Sequence, residues 1–226
     1  MRVISLCLLL VVTLAACARP LAPNEQAFAS RLFGSTLDTQ RIKFHDGALV
    51  GKVTYQRKKR PQLACRERIW PEPREEVVTV GPAAVTLWNR VFYTKPFYSN
   101  DYLHGAPDVF PLFAAMLFAH ELTHVWQWQN RAQTGYSPIK AANEHDWGAD
   151  PYLYDINTKT RFLDYAYEQQ ASIVEEYVCC MALDPQASRT KRLETLLKSA
   201  FPLETLPIPK KVRIPWKDAK IKGICQ

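Results

Sequence analysis

The stretch FAAMLFAHELTHVWQWQ, residues 113–129, constrains this chain more than any other. Its first seven residues are apolar without a break, so a helix built from them must be buried, and the same helix carries His120, Glu121 and His124 inward. Side chains four apart on a helix leave from one face. The imidazoles of His120 and His124 can therefore meet on one ion while Glu121 stands one step around the axis. Left unpaired among apolar neighbours, three such groups would be costly, and a shared cation removes that cost. The spacing is the HExxH of zinc sites, in which two histidines bind the metal and the glutamate acts as general base on a water. His120 and His124 are thus expected as ligands of Zn2+, with Glu121 catalytic.

Hydropathy patterning places this segment within a larger order. Pro111 suits a first helical turn, Asp108 is positioned to cap it, and the helical spacing runs on to Gly135. A loop rich in Asn, Asp, Gly and Pro spans residues 136–155. RFLDYAYEQQASIVEEYVCCMAL then resumes helical spacing as far as Asp184-Pro185, and QASRTKRLETLLKSAF reads as a third helix before a basic, Pro-rich tail. Upstream, NEQAFASRLF has the pattern of a short amphipathic helix. RIKFHDGALVGKVTYQ, EEVVTVG and AVTLWNRVFYT read as strands, rich in Val, Thr and aromatics and broken by Asp-Gly, Pro and charged residues. The expected class is α+β: a small N-terminal β-sheet, the HExxH helix, then C-terminal helices. Trp126 and Trp128 are expected to pack that helix against the sheet.

Arg2 precedes an apolar run from Val3 to Ala16, too short to span a bilayer as a helix and shaped like a secretory signal, so residues 1–16 read as a signal peptide. The run ends in Leu14-Ala15-Ala16-Cys17, which resembles the lipobox of bacterial lipoproteins. That resemblance implies acylation of Cys17 and, with Ala18 rather than Asp next, an outer-membrane anchor facing the periplasm. Residues 17–226 are sized for a single domain. Of six cysteines, Cys65, Cys179, Cys180 and Cys225 then remain for two disulfides. Neighbours such as Cys179 and Cys180 rarely bond each other, so each reaches Cys65 or Cys225, and both pairings stay open. No C-x-x-C pair exists and an oxidising compartment disfavours thiolate zinc sites. The formal charge of +7 is concentrated in Arg57–Arg60 and in the tail from Lys210 to Lys222. It reads as solvated surface, and with no nucleic-acid motif beside it no nucleic-acid partner is expected.

Catalytic zinc takes three protein ligands and leaves a position for solvent. The metzincin pattern would need a glycine at position 127 and a histidine at 130, where Gln127 and Asn130 stand. A glutamate from the next long helix is the other source. Glu168 is well placed, Glu175 lies seven residues on and nearly on the same face, and Glu176 is a more distant third.

HELTHVWQ followed by EQQA resembles a group of bacterial gluzincin-type zinc peptidase domains carrying HELTHVxQ, some of them at secretion or contractile-injection loci. The resemblance covers roughly residues 100–180. It implies a zincin-like arrangement with His120, His124 and Glu168 as ligands, Glu121 as base, a peptide or protein substrate, and an envelope or secretion-system protein as partner. The chain departs from the best-known gluzincins, where an aspartate soon after the ligand glutamate orients a histidine. Ser172 occupies that face, and Glu175 is the residue available for the role. His145 in NEHDWGAD is a candidate further ligand or, with Tyr152, Tyr154 and Tyr167, a group to stabilise an oxyanion. His45 and His104 read as structural or surface residues.

Together with the two resemblances, the expectation is a lipid-anchored, exported zinc metallohydrolase, with peptidase as the leading activity. A strand within VTLWNRVFYT, or residues 97–102, would receive extended peptide by edge pairing. The rival reading is a non-catalytic outer-membrane scaffold whose metal is structural. An amidase or deacylase acting on peptidoglycan would share the metal chemistry.

Overall fold

A computed structural model of the chain describes residues 18–48, 53–145 and 150–226, so the signal-peptide and lipidation readings lie outside the described residues. The fold is α+β. Strand β1 (Ala18–Arg19) leads into helix α1 (Pro23–Phe33), followed by β2 (Lys43–Asp46), β3 (Tyr55–Lys58), the one-turn α2 (Cys65–Arg68), β4 (Val77–Val80), β5 (Ala84–Leu87), β6 (Arg90–Tyr93) and β7 (Val109–Pro111). The long helix α3 (Leu112–Gln129) comes next, then α4 (Arg131–Thr134), α5 (Pro138–Asn143), the second long helix α6 (Tyr167–Leu183), α7 (Ser188–Leu197) and β8 (Lys211–Arg213).

Four strands form one sheet in the order β1-β2-β6-β5, in which β2 and β6 are parallel and the outer pairings antiparallel. In β6 the period of two is plain: Val91 and Tyr93 are buried while Arg90 faces out. Phe44 from β2 and Tyr93 from β6 meet Tyr102 and Phe118 in a cluster of edge-on and stacked rings, and Phe118 belongs to α3. This aromatic junction glues the metal-motif helix to the sheet. Among the described residues β5 has one sheet neighbour, β6, so its other edge stays unpaired. β3–β4 form a separate hairpin, and β7–β8 a parallel pair.

α3 packs along α6 in antiparallel fashion, since His124 meets Glu168 while His120, one turn earlier, also meets Glu175. The disulfides are Cys65–Cys179 and Cys180–Cys225, which closes the choice the sequence left open. They tie α6 to α2 and to the C-terminal tail. Among the described residues no helix is long and apolar enough to cross a membrane.

Several local expectations are corrected. Asp108 does not cap α3: its carboxylate pairs with Lys210 and its carbonyl accepts from Lys211 N–H, while Pro111 itself occupies the cap. The helix ends at Gln129, because Asn130 leaves helical geometry and its side-chain amide bonds the carbonyls of Trp126 and Thr36. A further turn, α4, reaches the left-handed Gly135. The loop over 136–155 contains α5. Trp126 packs on Phe162 and Phe201 rather than on the sheet, and its indole N–H bonds Thr36, because that side of α3 faces the connection to α6. Trp128 does meet the sheet, through Trp88 at the β5–β6 turn.

Candidate metal centre

His120, Glu121 and His124 are buried on α3 at 8, 6 and 5% exposure. The Nε2 atoms of His120 and His124 each lie 3.3 Å from Glu168 Oε2 on α6. One donor atom from each of these three residues falls within 4.8 Å of the other two. Glu168 Oε2 is nevertheless buried without a hydrogen-bond partner among the described residues. A buried carboxylate oxygen that lacks a hydrogen bond while two ring nitrogens crowd it is costly as it stands. Zinc bonds of about 2.0–2.1 Å at tetrahedral angles set neighbouring donors about 3.4 Å apart, and the separations found here agree with that spacing. The donor set of two imidazoles and one carboxylate fits a divalent cation.

The hydrogen bonds behind the donors fix which nitrogen is free. Gln127 Nε2 donates to the Tyr167 carbonyl and to Gln170 Oε1, and Gln170 Nε2 donates to the Tyr165 carbonyl. With its amide nitrogen so committed, Gln127 turns Oε1 toward His124 Nδ1 at 2.9 Å, so that Nδ1 carries the proton and Nε2 presents a lone pair. His120 has a carboxylate behind it instead, with Nδ1 3.4 Å from Glu175 Oε2. That oxygen also accepts from Arg66 at 3.2 Å. Glu175 therefore supports His120 from behind, as the missing aspartate would. Glu176 faces away, accepting from the backbone N–H groups of Cys65 and Arg66 and from Arg189. Of the three candidate glutamates, Glu168 is the one whose oxygen joins the two free imidazole nitrogens.

Electrostatics follow from this crowding. Burial alone would raise the Glu168 carboxyl, but His124, His120 and His145 outweigh it and hold the group well below the usual carboxylate range. Burial likewise opposes charge on Glu175, yet His120 and Arg66 bring it down to about 2. Burial disfavours the His120 imidazolium, and Glu168 on one side with Glu175 on the other reverses this, pushing it up to about 10. His124 is raised in the same way, against its own burial, chiefly by Glu168. In each case the electrostatics favour positive charge between the donors.

Glu121 is anchored from the sheet: Thr86 of β5 donates to Glu121 Oε2 at 2.7 Å. The unpaired edge of β5 and the cluster share a cavity of about 500 Å³ whose wall includes Thr86, Tyr136, His145 and Tyr152. A second hollow, which shares His120, Glu121 and Tyr55 with the first, reaches the β3–β4 pair at Val80.

The four candidates for stabilising an oxyanion divide. His145 Nε2 lies 3.3 Å from Glu168 Oε1, and the Tyr152 ring lies 5.8 Å from that of His120, so both flank the donors. Tyr154 is half-buried beside Tyr165 outside the cavity, and Tyr167 bonds the Thr134 carbonyl. His45 stacks on Phe92 and contacts Arg90, a structural setting. Sequence reasoning missed Thr86, Tyr136, Gln127, Gln170 and Glu144. Glu144 accepts from the first two N–H groups of α6 and so aims Glu168. Gln127 and Gln170 carried a signal, standing within HELTHVWQ and EQQA; the others carried none.

No protein-family model and no curated protein matches the chain. Among solved structures it is similar to the effector domain of Pseudomonas aeruginosa VgrG2b, with a TM-score of 0.50 and 21% identity over 81% of this chain and 83% of that one. At that identity the likeness describes the fold.

Proposed function

We propose that this protein is an exported, zinc-dependent peptidase of zincin-like organisation, with His120, His124 and Glu168 holding the metal and Glu121 as general base. The observation that carries the reading is the meeting of two imidazole Nε2 atoms with a carboxylate oxygen that has no hydrogen bond among the described residues. Bound there, zinc would polarise a scissile carbonyl and acidify a water molecule. Glu121, with one oxygen held by Thr86, keeps the other for the proton of the attacking water and later passes it to the leaving amine. The free edge of β5 gives an extended peptide backbone a line of hydrogen-bonding groups beside the base. His145 and Tyr152, on the cavity wall beside the donors, are the groups available to stabilise an oxyanion.

The rival, a scaffold with a structural metal, fits less well. Structural zinc sites are closed by four protein ligands, whereas three donors here face an open cavity and a carboxylate base lies among them. Two disulfides support residence in an oxidising compartment, in keeping with a single exported domain over 17–226 anchored through Cys17 at the outer membrane.

Metal analysis of the purified protein tests the proposal. Stoichiometric zinc is expected in the wild type and strong depletion in His120→Ala and Glu168→Ala. A metal-free wild type, after incubation with zinc, would remove the hydrolase reading. Full occupancy in Glu168→Ala would reassign the third ligand.

A further inference from the structure

Arg66 sits beside Cys65 in α2, and its side chain is 5% exposed. It touches none of the three metal donors, yet it holds two groups that flank His120. One guanidinium nitrogen donates to Glu175 Oε2, the oxygen that backs His120, and to Ser172 Oγ, each at 3.2 Å. The other donates at 2.8 Å to the carbonyl of Tyr152, whose ring lies between His120 and His145. Arg66 Nε is buried with no partner among the described residues.

We propose that Arg66 is a positioning residue of the metal site and that the Cys65–Cys179 disulfide keeps it there, so that the site is complete in the oxidised chain and loosened in the reduced one. This rests on the metal reading above and adds regulation to it.

The physical case begins with the size of α2. A single turn has no stability of its own, so its place depends on what ties it to α6. The ties run along one face of α6: Ser172 and Glu175 hold the Arg66 side chain, Glu176 accepts the backbone N–H groups of Cys65 and Arg66, and Cys179 bonds Cys65. A buried guanidinium with an orphaned Nε gains hydration by moving out, and leaving water is expensive for any charged group. The hydrogen bonds oppose that escape, and the covalent link holds the α2 backbone against α6, which closes the route in which the whole turn lifts away. The disulfide forms when the two thiols lose two protons and two electrons to a disulfide-bearing oxidant, which is reduced to its dithiol. A chain still reduced would bind metal weakly; after oxidation Glu175 would be locked behind His120.

The experiment uses Co2+ as probe, with affinity from chelator competition and coordination geometry from the visible d–d bands. Wild type, Arg66→Met, Arg66→Lys, the double variant Cys65→Ser/Cys179→Ser and the control Cys180→Ser/Cys225→Ser are compared, with circular dichroism reporting folding. Arg66→Met and Cys65→Ser/Cys179→Ser are expected to lose about tenfold in Co2+ affinity with altered bands, in the range found when groups behind a ligand are removed. Arg66→Lys should recover part of the loss, since lysine keeps the charge but not the forked geometry. The control should melt earlier and bind Co2+ as the wild type does. Wild-type affinity and spectra in both Arg66→Met and the Cys65 pair would overturn the inference. If Arg66→Met does not fold, Arg66→Lys decides: unchanged affinity and bands overturn the inference, and weakened binding supports it. A wild type that binds no Co2+ would instead sink the metal reading, and this inference with it.

Discussion

Gln127 Oε1 lies 2.9 Å from His124 Nδ1, and the amide that presents it is locked from behind by Tyr167 and Gln170. The tautomer of one imidazole of the proposed metal site is therefore set by a chain of side-chain amides ending on the Tyr165 backbone carbonyl. Replacing Gln127 by Met keeps the volume and removes the acceptor. Zinc affinity should fall by about 10- to 100-fold, while the apo protein stays folded. Chelator competition measures it, and an affinity within twofold of wild type would show that the amide chain does not orient His124.

Glu121 and Thr86 should separate binding from chemistry. Glu121→Gln leaves the three donors intact, so zinc content is expected to stay stoichiometric while turnover of a peptide library falls by at least about 10²-fold, the lower range for loss of a general base. Thr86→Val removes the donor to Glu121 Oε2 and should act on turnover with little effect on metal content. Retained turnover in Glu121→Gln would favour a different base or none.

The apo protein should show a two-sided pH profile. His120 has an ordinary value of 6.5 and is pushed up to about 10 in the fold, so its contribution is complete below 6.5 and is lost as pH rises toward 10. Glu175 is brought from 4.5 to about 2, so its contribution is present above 4.5 and lost as pH falls toward 2. Denaturant midpoints of the metal-free protein should therefore be highest between these ordinary values. Zinc must displace the His120 proton, so its affinity should rise with pH by up to about tenfold per unit and level off near the folded value. Affinity independent of pH between 6.5 and 8.5 would contradict protonation of the empty site.

Cys180–Cys225 closes a loop with a sequence separation of 45 residues, for which chain entropy gives about 3–4 kcal/mol of stabilisation. Cys180→Ser/Cys225→Ser should lower stability by an amount of that order in denaturant titration. Zinc stoichiometry should not change, because neither cysteine approaches the donors.

The parts legible in the sequence were those with local periodicity. Both long helices, the strand segments and the pair His120/His124 follow from spacing along a few turns. Glu168 came from a resemblance; spacing alone left Glu175 and Glu176 open, and their distinct partners, Arg66 for one and the α2 backbone for the other, lie more than a hundred residues away. The parallel pairing of β2 with β6 and the choice of disulfides were equally non-local. Asp108 misled because an acidic residue near a helix start resembles a cap until a nearby lysine claims it. Thr86 gave no signal, since a threonine in a strand is ordinary and its meaning comes from the helix that happens to lie against it.

Cys179 and Cys180 are consecutive, so their side chains leave α6 about 100° apart around the axis and fasten it to α2 on one side and to the tail on another. Either pin resists rolling of the helix, and the packing of α3 along it resists rolling as well. Glu168 therefore keeps its azimuth whether or not an ion is present, and loading should be set by dehydration of the incoming cation rather than by any refolding of the host, unlike small zinc modules that collapse only around their metal.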